Sequence, residues 1–81
     1  MEYIFVIQMN KTIYSKAYKK LLARLQKARK EAGYKQREVA EKLKCSQSYV
    51  SKSENGQLRL DVVQLNEFAK LYRKDITYFI K

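Results

Sequence analysis

Between Lys35 and Gly56 the chain reads KQREVAEKLKCSQSYVSKSENG, a stretch that leaves few choices of local structure. Val39, Ala40 and Leu43 fall at i, i+1 and i+4, which puts them on one stripe of a helix beginning near Gln36. Lys44 and Cys45 interrupt that stripe. Ser46 then has the side chain of an N-cap, its hydroxyl able to accept from the free N–H groups of the next turn, and Val50 turns a second helix inward. Gly56 is its stop. The spacing predicts two short helices joined by a tight turn, and the small side chain of Ala40 lets them cross closely. Gln47, Ser48, Ser51 and Lys52 are short or flexible hydrogen-bonding groups, a poor investment for a merely solvated face but suited to one that meets base edges.

The charge agrees with that reading but is placed elsewhere. A formal net charge of +10 on 81 residues implies a polyanionic partner, most commonly nucleic acid. Residues 11–30 hold eight Lys or Arg and no acid, whereas Lys35 to Gly56 holds five bases against three acids. Lys16, Lys20, Arg24 and Lys27 recur at helical spacing and form one stripe of like charges, each neighbouring pair costing about 0.2–0.5 kcal/mol. A phosphate backbone would relieve the repulsion; the alternative is a plain solvated face.

Length allows one small domain, near the lower range at which a chain without disulfides or metal buries enough apolar surface to fold alone, so dimerisation would help it. The single cysteine excludes an intramolecular disulfide, and with no histidine Cys45 cannot build a zinc site, so neither metal nor cofactor is expected. An enzyme is not expected either: there are no carboxylates paired at a usable spacing, no glycine-rich phosphate loop and no base to activate Cys45. The longest apolar run, Tyr3 to Ile7, is far short of the roughly 20 residues of a membrane span, and no Lys or Arg precedes it as in a signal peptide. The expectation is a soluble, unprocessed protein of the reducing cytoplasm.

Around the central stretch, Tyr18, Leu21, Leu22, Leu25, Ala28 and Ala32 mark an amphipathic helix from about Ser15 to Ala32, capped by Ser15 and stopped by Gly33. Gln57 to Leu60 is a loop. Asp61 caps a fourth helix with Val62, Leu65, Phe68, Ala69 and Tyr72 inward, and Asp75 caps a short fifth carrying Ile76, Phe79 and Ile80. These last apolar residues either close the core or form a dimer contact. Glu2 to Met9, EYIFVIQM, is β-branched and aromatic without a helical period, so residues 1–14 are expected to be an arm with a possible strand, pairing with another copy or packing irregularly on the helices. Residues 15–81 form the domain.

Taken together, Gln36, Val39-Ala40, Leu43, Gln47 to Lys52, Glu54, Gly56 and Arg59 to Val63 resemble the lambda-repressor-like, XRE-type helix-turn-helix family of prokaryotic and phage transcription regulators, over roughly Leu21 to Phe79. The resemblance implies an all-α, five-helix domain whose second motif helix lies in the DNA major groove while the first crosses the backbone. It implies that Ser46, Gln47, Ser48 and Lys52 face base edges, Gln pairing with adenine and Lys reaching guanine. Gln36 would contact phosphate from its helix N-terminus, flanked by Lys35 and Asn55. Arg29 and Glu54 match an ion pair that joins helix 1 to the end of the reading helix, a structural role that also orients Arg29 toward phosphate. The ring of Tyr49 either lies on sugar and phosphate or shields the helix pair. Three positions depart from the family pattern. Lys44 stands where glycine is usual, at a cost of about 1 kcal/mol if φ is positive. Ser53 replaces a large apolar residue, which predicts a looser seat for the reading helix, and Gln64 replaces a frequent glutamate.

The function implied is a sequence-specific, homodimeric regulator of double-stranded DNA, a repressor rather than an activator, with half-sites about 34 Å apart, acting in a prokaryotic or phage-infected cytoplasm at the nucleoid. Two alternatives compete with it. One is an antitoxin-like module that binds a protein partner through the N-terminal arm; the other is non-specific coating of nucleic acid through the basic stripe, with steep salt dependence.

Overall fold

Short polar side chains and left-handed residues set the helix limits of the protein, whose computed structural model describes residues 15–81. The helices are α1 Lys16–Glu31, α2 Gln36–Leu43, α3 Gln47–Glu54, α4 Val62–Tyr72 and α5 Thr77–Ile80. Ser15, Ser46 and Asp61 are extended N-caps whose side-chain oxygens accept from Tyr18 N, Tyr49 N and Gln64 N respectively. The Gln64 carboxamide returns a bond by accepting from Asp61 N at 3.0 Å, completing a capping box; this is what the residue standing in place of glutamate does here. Lys35 opens α2 without a side-chain cap, but Glu38 Oε1 accepts from its N–H at 2.7 Å.

The helix ends share one device. Tyr34 N, Cys45 N and Lys74 N reach back to the carbonyls of Arg29, Ala40 and Ala69, while Gly33, Lys44 and Arg73 take positive φ of 82, 58 and 59°. Lys44 therefore carries the cost of about 1 kcal/mol relative to glycine that a β-carbon incurs in this conformation. Gly56 is needed twice over, since its φ is +86° and a Cβ there would lie 3.1 Å from Leu22 Cδ1.

The core draws on every helix: Leu25 and Ala28 from α1, Val39 and Ala40 from α2, Val50 from α3, Leu65, Phe68, Ala69 and Tyr72 from α4, and Phe79 from α5. Each large apolar side chain fully buried here contributes about 1.5–3 kcal/mol. α2 packs on α3, α1 lies along α5 and reaches α3 and α4, and α2 also touches α4. Phe68 sits between Tyr49, stacked at 6.3 Å, and Tyr72, tilted at 6.1 Å. The expected all-α, five-helix architecture is what the described residues adopt. The expected strand and arm over residues 1–14 lie outside them. Among the described residues no helix is long and apolar enough to cross a membrane.

Three local expectations need correction, and one open alternative divides between two residues. Ala32 is exposed because it follows the last helical residue of α1, where the chain already turns away at Gly33. Val62 is 69 % exposed, since the first turn of α4 projects beyond the edge of the bundle. Of the apolar residues in the last segment, Phe79 closes the core and Ile80 points to solvent. Asp75 stands two residues ahead of α5, accepting from both Thr77 N and Thr77 Oγ1, an arrangement that lowers its carboxyl pKa.

The basic stripe of α1 is also divided. Arg24 Nη1 donates to Tyr78 O at 2.6 Å and its guanidinium lies 5.6 Å from the Tyr78 ring, while Lys20 Nζ donates to Lys81 O. These carbonyls are the ones a helix end leaves without intrahelical partners, so Arg24 and Lys20 help to hold α5, Arg24 half-buried and Lys20 still part of the exposed charged face. Lys16 and Lys27 remain exposed.

Candidate nucleic-acid interface

The eight residues of α3 are split into two faces by helical spacing. Val50, Ser53 and Glu54, at i, i+3 and i+4, are buried. Gln47, Ser48 and Lys52 are exposed on the opposite side, Ser48 and Lys52 being one turn apart. Ser46 is exposed at the cap, with its oxygen occupied by Tyr49 N at 3.0 Å and its O–H free to donate. The polar residues read from the sequence as base-facing thus share the solvent side of α3 and its cap.

What holds that face still is Glu54. Its side chain is 3 % exposed, and its two oxygens are taken separately: Oε2 by Arg29 Nε at 2.7 Å and Oε1 by Gln36 Nε2 at 3.0 Å. Arg29 also donates from Nη1 to Tyr34 O at 3.0 Å, and Gln26 Nε2 donates to the Glu54 carbonyl at 3.1 Å, satisfying one free group at the end of α3. One carboxylate therefore ties α1, the turn after it, α2 and α3 together. The Arg29–Glu54 pair expected from the resemblance is formed, and it has a third member, because the Gln36 amide nitrogen is committed to Glu54. The Gln36 Oε1 and the N-terminal amides of α2 remain for other contacts.

Arg29, Lys35, Gln36, Arg37 and Gln47 line an open depression of about 490 Å³ between the starts of α2 and α3. It brings Gln47, expected to face bases, beside three of the residues expected to meet phosphate. Arg37 was not singled out by sequence reasoning; its signal was its place in the first turn of α2, next to Gln36 and on the solvent side. Gln26 carried no local signal, since its partner is 28 positions away. Asn55 lies at the far end of α3, exposed, with Oδ1 accepting from Gln57 N at 3.2 Å. Tyr49 is half-buried, its ring stacked on Phe68 and its phenol pKa raised chiefly by burial.

Two further titratable groups in the bundle are shifted by burial. Burial pushes the Cys45 thiol up, keeping it protonated at neutral pH. Burial and then the Glu54 carboxylate hold the Tyr72 phenol far above its ordinary value. Among the described residues no group of three or more His, Cys, Asp or Glu is placed to hold a metal ion.

A family model described as helix-turn-helix, of the XRE and lambda-repressor type, matches residues 25–79, well over half the chain. The protein belongs to that helix-turn-helix family. It is accordingly a DNA-binding regulator by family, with α2 and α3 as the motif helices. No curated protein and no solved structure matches the chain.

Ser53 places a hydroxyl inside the packed interior of this helix-turn-helix domain. The residue is completely buried, and its hydroxyl makes no hydrogen bond of ordinary geometry among the described residues, the Tyr49 phenol being the one polar group close enough to feel it. Such a group costs about 1–3 kcal/mol in lost hydration. Ser53→Ala removes that cost and improves helix propensity, so the melting midpoint is expected to rise by several degrees, at about 4–8 °C per kcal/mol for a domain of this size. A thermal melt in which the variant unfolds at or below the parent temperature would show that the hydroxyl is satisfied in solution.

Proposed function

We propose that the protein is a homodimeric, sequence-specific repressor that reads the DNA major groove with α3. The observation that carries this is the division of α3 into a face locked by Glu54 and a face of free hydrogen-bonding side chains, set beside a basic depression at the starts of α2 and α3. Ser46, Gln47, Ser48 and Lys52 meet base edges; Lys35, Gln36, Arg29 and Asn55 meet phosphate, and we add Arg37 to that set. Tyr49 lies at the edge of this surface and supports it by packing on Phe68. Residues 15–81 are the DNA-binding unit, two copies of which engage half-sites about one helical turn, roughly 34 Å, apart. The site of action is the prokaryotic or phage-infected cytoplasm.

Selection of bound duplexes from a random pool supplies the cognate site and reads its symmetry. On that site Gln47→Ala is expected to lose about 1–3 kcal/mol of binding free energy with little change on random DNA. Lys35→Ala is expected to weaken both and to reduce the salt slope by about 1. Equal losses for Gln47→Ala on cognate and random DNA would remove it from the reading set.

A further inference from the structure

α1 is positively charged along the whole of its outer side. At about 100° per residue, Lys16, Lys19, Lys27 and Lys30 point roughly half a turn away from the buried Tyr18, Leu25 and Ala28. All four are exposed, as is Ala23 between them. Lys20 borders the face with its Nζ given to Lys81 O. No acid occurs in α1 before Glu31, and that carboxylate is held by Lys74 at 3.3 Å. Among the described residues none of the four lysines has a carboxylate within ion-pair distance. Residues 1–14 bring one acid, Glu2, against one base, Lys11, so the excess of charge survives wherever that segment lies. Lys16 and Lys19, and again Lys27 and Lys30, are one turn apart, and their repulsion works against the helix that carries them.

We propose that this lysine face grips the phosphate backbone of a second DNA duplex while α3 reads the first, so that the protein bridges two DNA segments; the inference rests on the reading of α3 given above. The α1 residue that lines the depression beside Gln47 is Arg29. It lies about a third of a turn around the helix from the centre of the lysine face, and Lys16 is about 20 Å farther along the axis. A duplex seated on α3 therefore meets α1 at its Arg29 end, and the lysines face elsewhere. From Lys16 to Lys30 the face runs about 21 Å, the length of roughly six base pairs at 3.4 Å each. Lysine is a point charge without the fork of arginine, suited to holding phosphate without reading bases. An acidic protein partner fits less well, because such an interface needs an apolar centre and the face offers only the methyl group of Ala23.

The test loads the full chain onto an immobilised duplex carrying the selected site, with sites in excess so that every reading surface is occupied, and measures capture of a fluorescent random-sequence duplex as salt is raised. Capture at low salt is expected, with a log–log salt slope of about −3 to −4 for four phosphates. Lys16→Gln, Lys19→Gln, Lys27→Gln and Lys30→Gln together change exposed residues and keep helix propensity, so the bundle remains folded. That variant is expected to lose capture by about tenfold or more. Its affinity for the selected site at physiological salt, where charges off the contact are screened, should stay within about threefold. The corresponding arginine variant keeps the charge and should keep capture. No capture by the parent, or capture unchanged by the glutamine variant, would overturn the proposal. So would an equal loss of selected-site affinity, which places the lysines on the first duplex, or stronger competition by polyglutamate than by duplex of matched charge, which assigns the face to an acidic polypeptide. If Gln47→Ala leaves selected-site binding unchanged while the glutamine variant still loses capture, the reading of α3 fails and the second surface stands.

Discussion

Arg29→Ala is expected to lower the unfolding free energy by about 3–5 kcal/mol, because it leaves the Glu54 carboxylate buried without its counter-charge. Gln36 still donates to Oε1, but a neutral amide does not compensate a full charge that is 3 % exposed. The same substitution releases the Tyr34 carbonyl, which Arg29 Nη1 holds at 3.0 Å. At about 4–8 °C per kcal/mol the melting midpoint falls by well over 10 °C. Urea unfolding of Arg29→Ala, Glu54→Gln and the double variant separates the causes. Glu54→Gln removes the stranded charge, so the double variant is expected to recover part of what Arg29→Ala loses. A single-variant loss below about 1 kcal/mol, the value of an exposed ion pair, would mean that water reaches the carboxylate.

The second large effect is expected at the other end of the bundle. α5 has four residues, too few to form a helix in isolation, so it exists only as docked. Its anchor is Phe79, completely buried and edge-on to Tyr78 with ring centroids 5.0 Å apart. Phe79→Ala is expected to cost about 3–5 kcal/mol, at the upper end if the emptied site cannot collapse. Hydrogen exchange at the amides of Phe79 and Lys81, whose bonds to Ile76 O and Thr77 O exist only in the docked segment, should rise far more than exchange in α2 and α3. Uniform acceleration throughout the bundle would instead show that α5 unfolds with the rest as one unit.

The two sites differ in how far the sequence announced them. Phe79 was visible as an apolar residue at helical spacing after a polar cap, though not its separation from Ile80, which lies on the other side of the same short helix. The Arg29–Glu54 pair was legible only through resemblance to a family, and the participation of Gln36 and Gln26 was not legible at all. Nothing within four residues of either glutamine specifies a partner in α3. Arg24 and Lys20 illustrate the same limit. Their spacing with Lys16 and Lys27 described a charged stripe correctly, yet the stripe's use depended on α5 returning along α1 and presenting its terminal carbonyls.

The sequence by itself determined the starts of α1, α3 and α4, the stops after α1 and α3, and that Val50 turns α3 inward. Those features follow from caps, stops and periodicities that act within about one turn, as at Ser15, Ser46, Asp61, Gly33 and Gly56. The tertiary structure decided which polar groups are used up in holding the bundle and which are left facing solvent. Gln36 and Gln47 have the same side chain near the start of adjacent helices, but one is tied to Glu54 and the other faces solvent. That difference arises because a buried carboxylate must be satisfied from every direction, and only the packed arrangement of α1, α2 and α3 sets which donors are within reach.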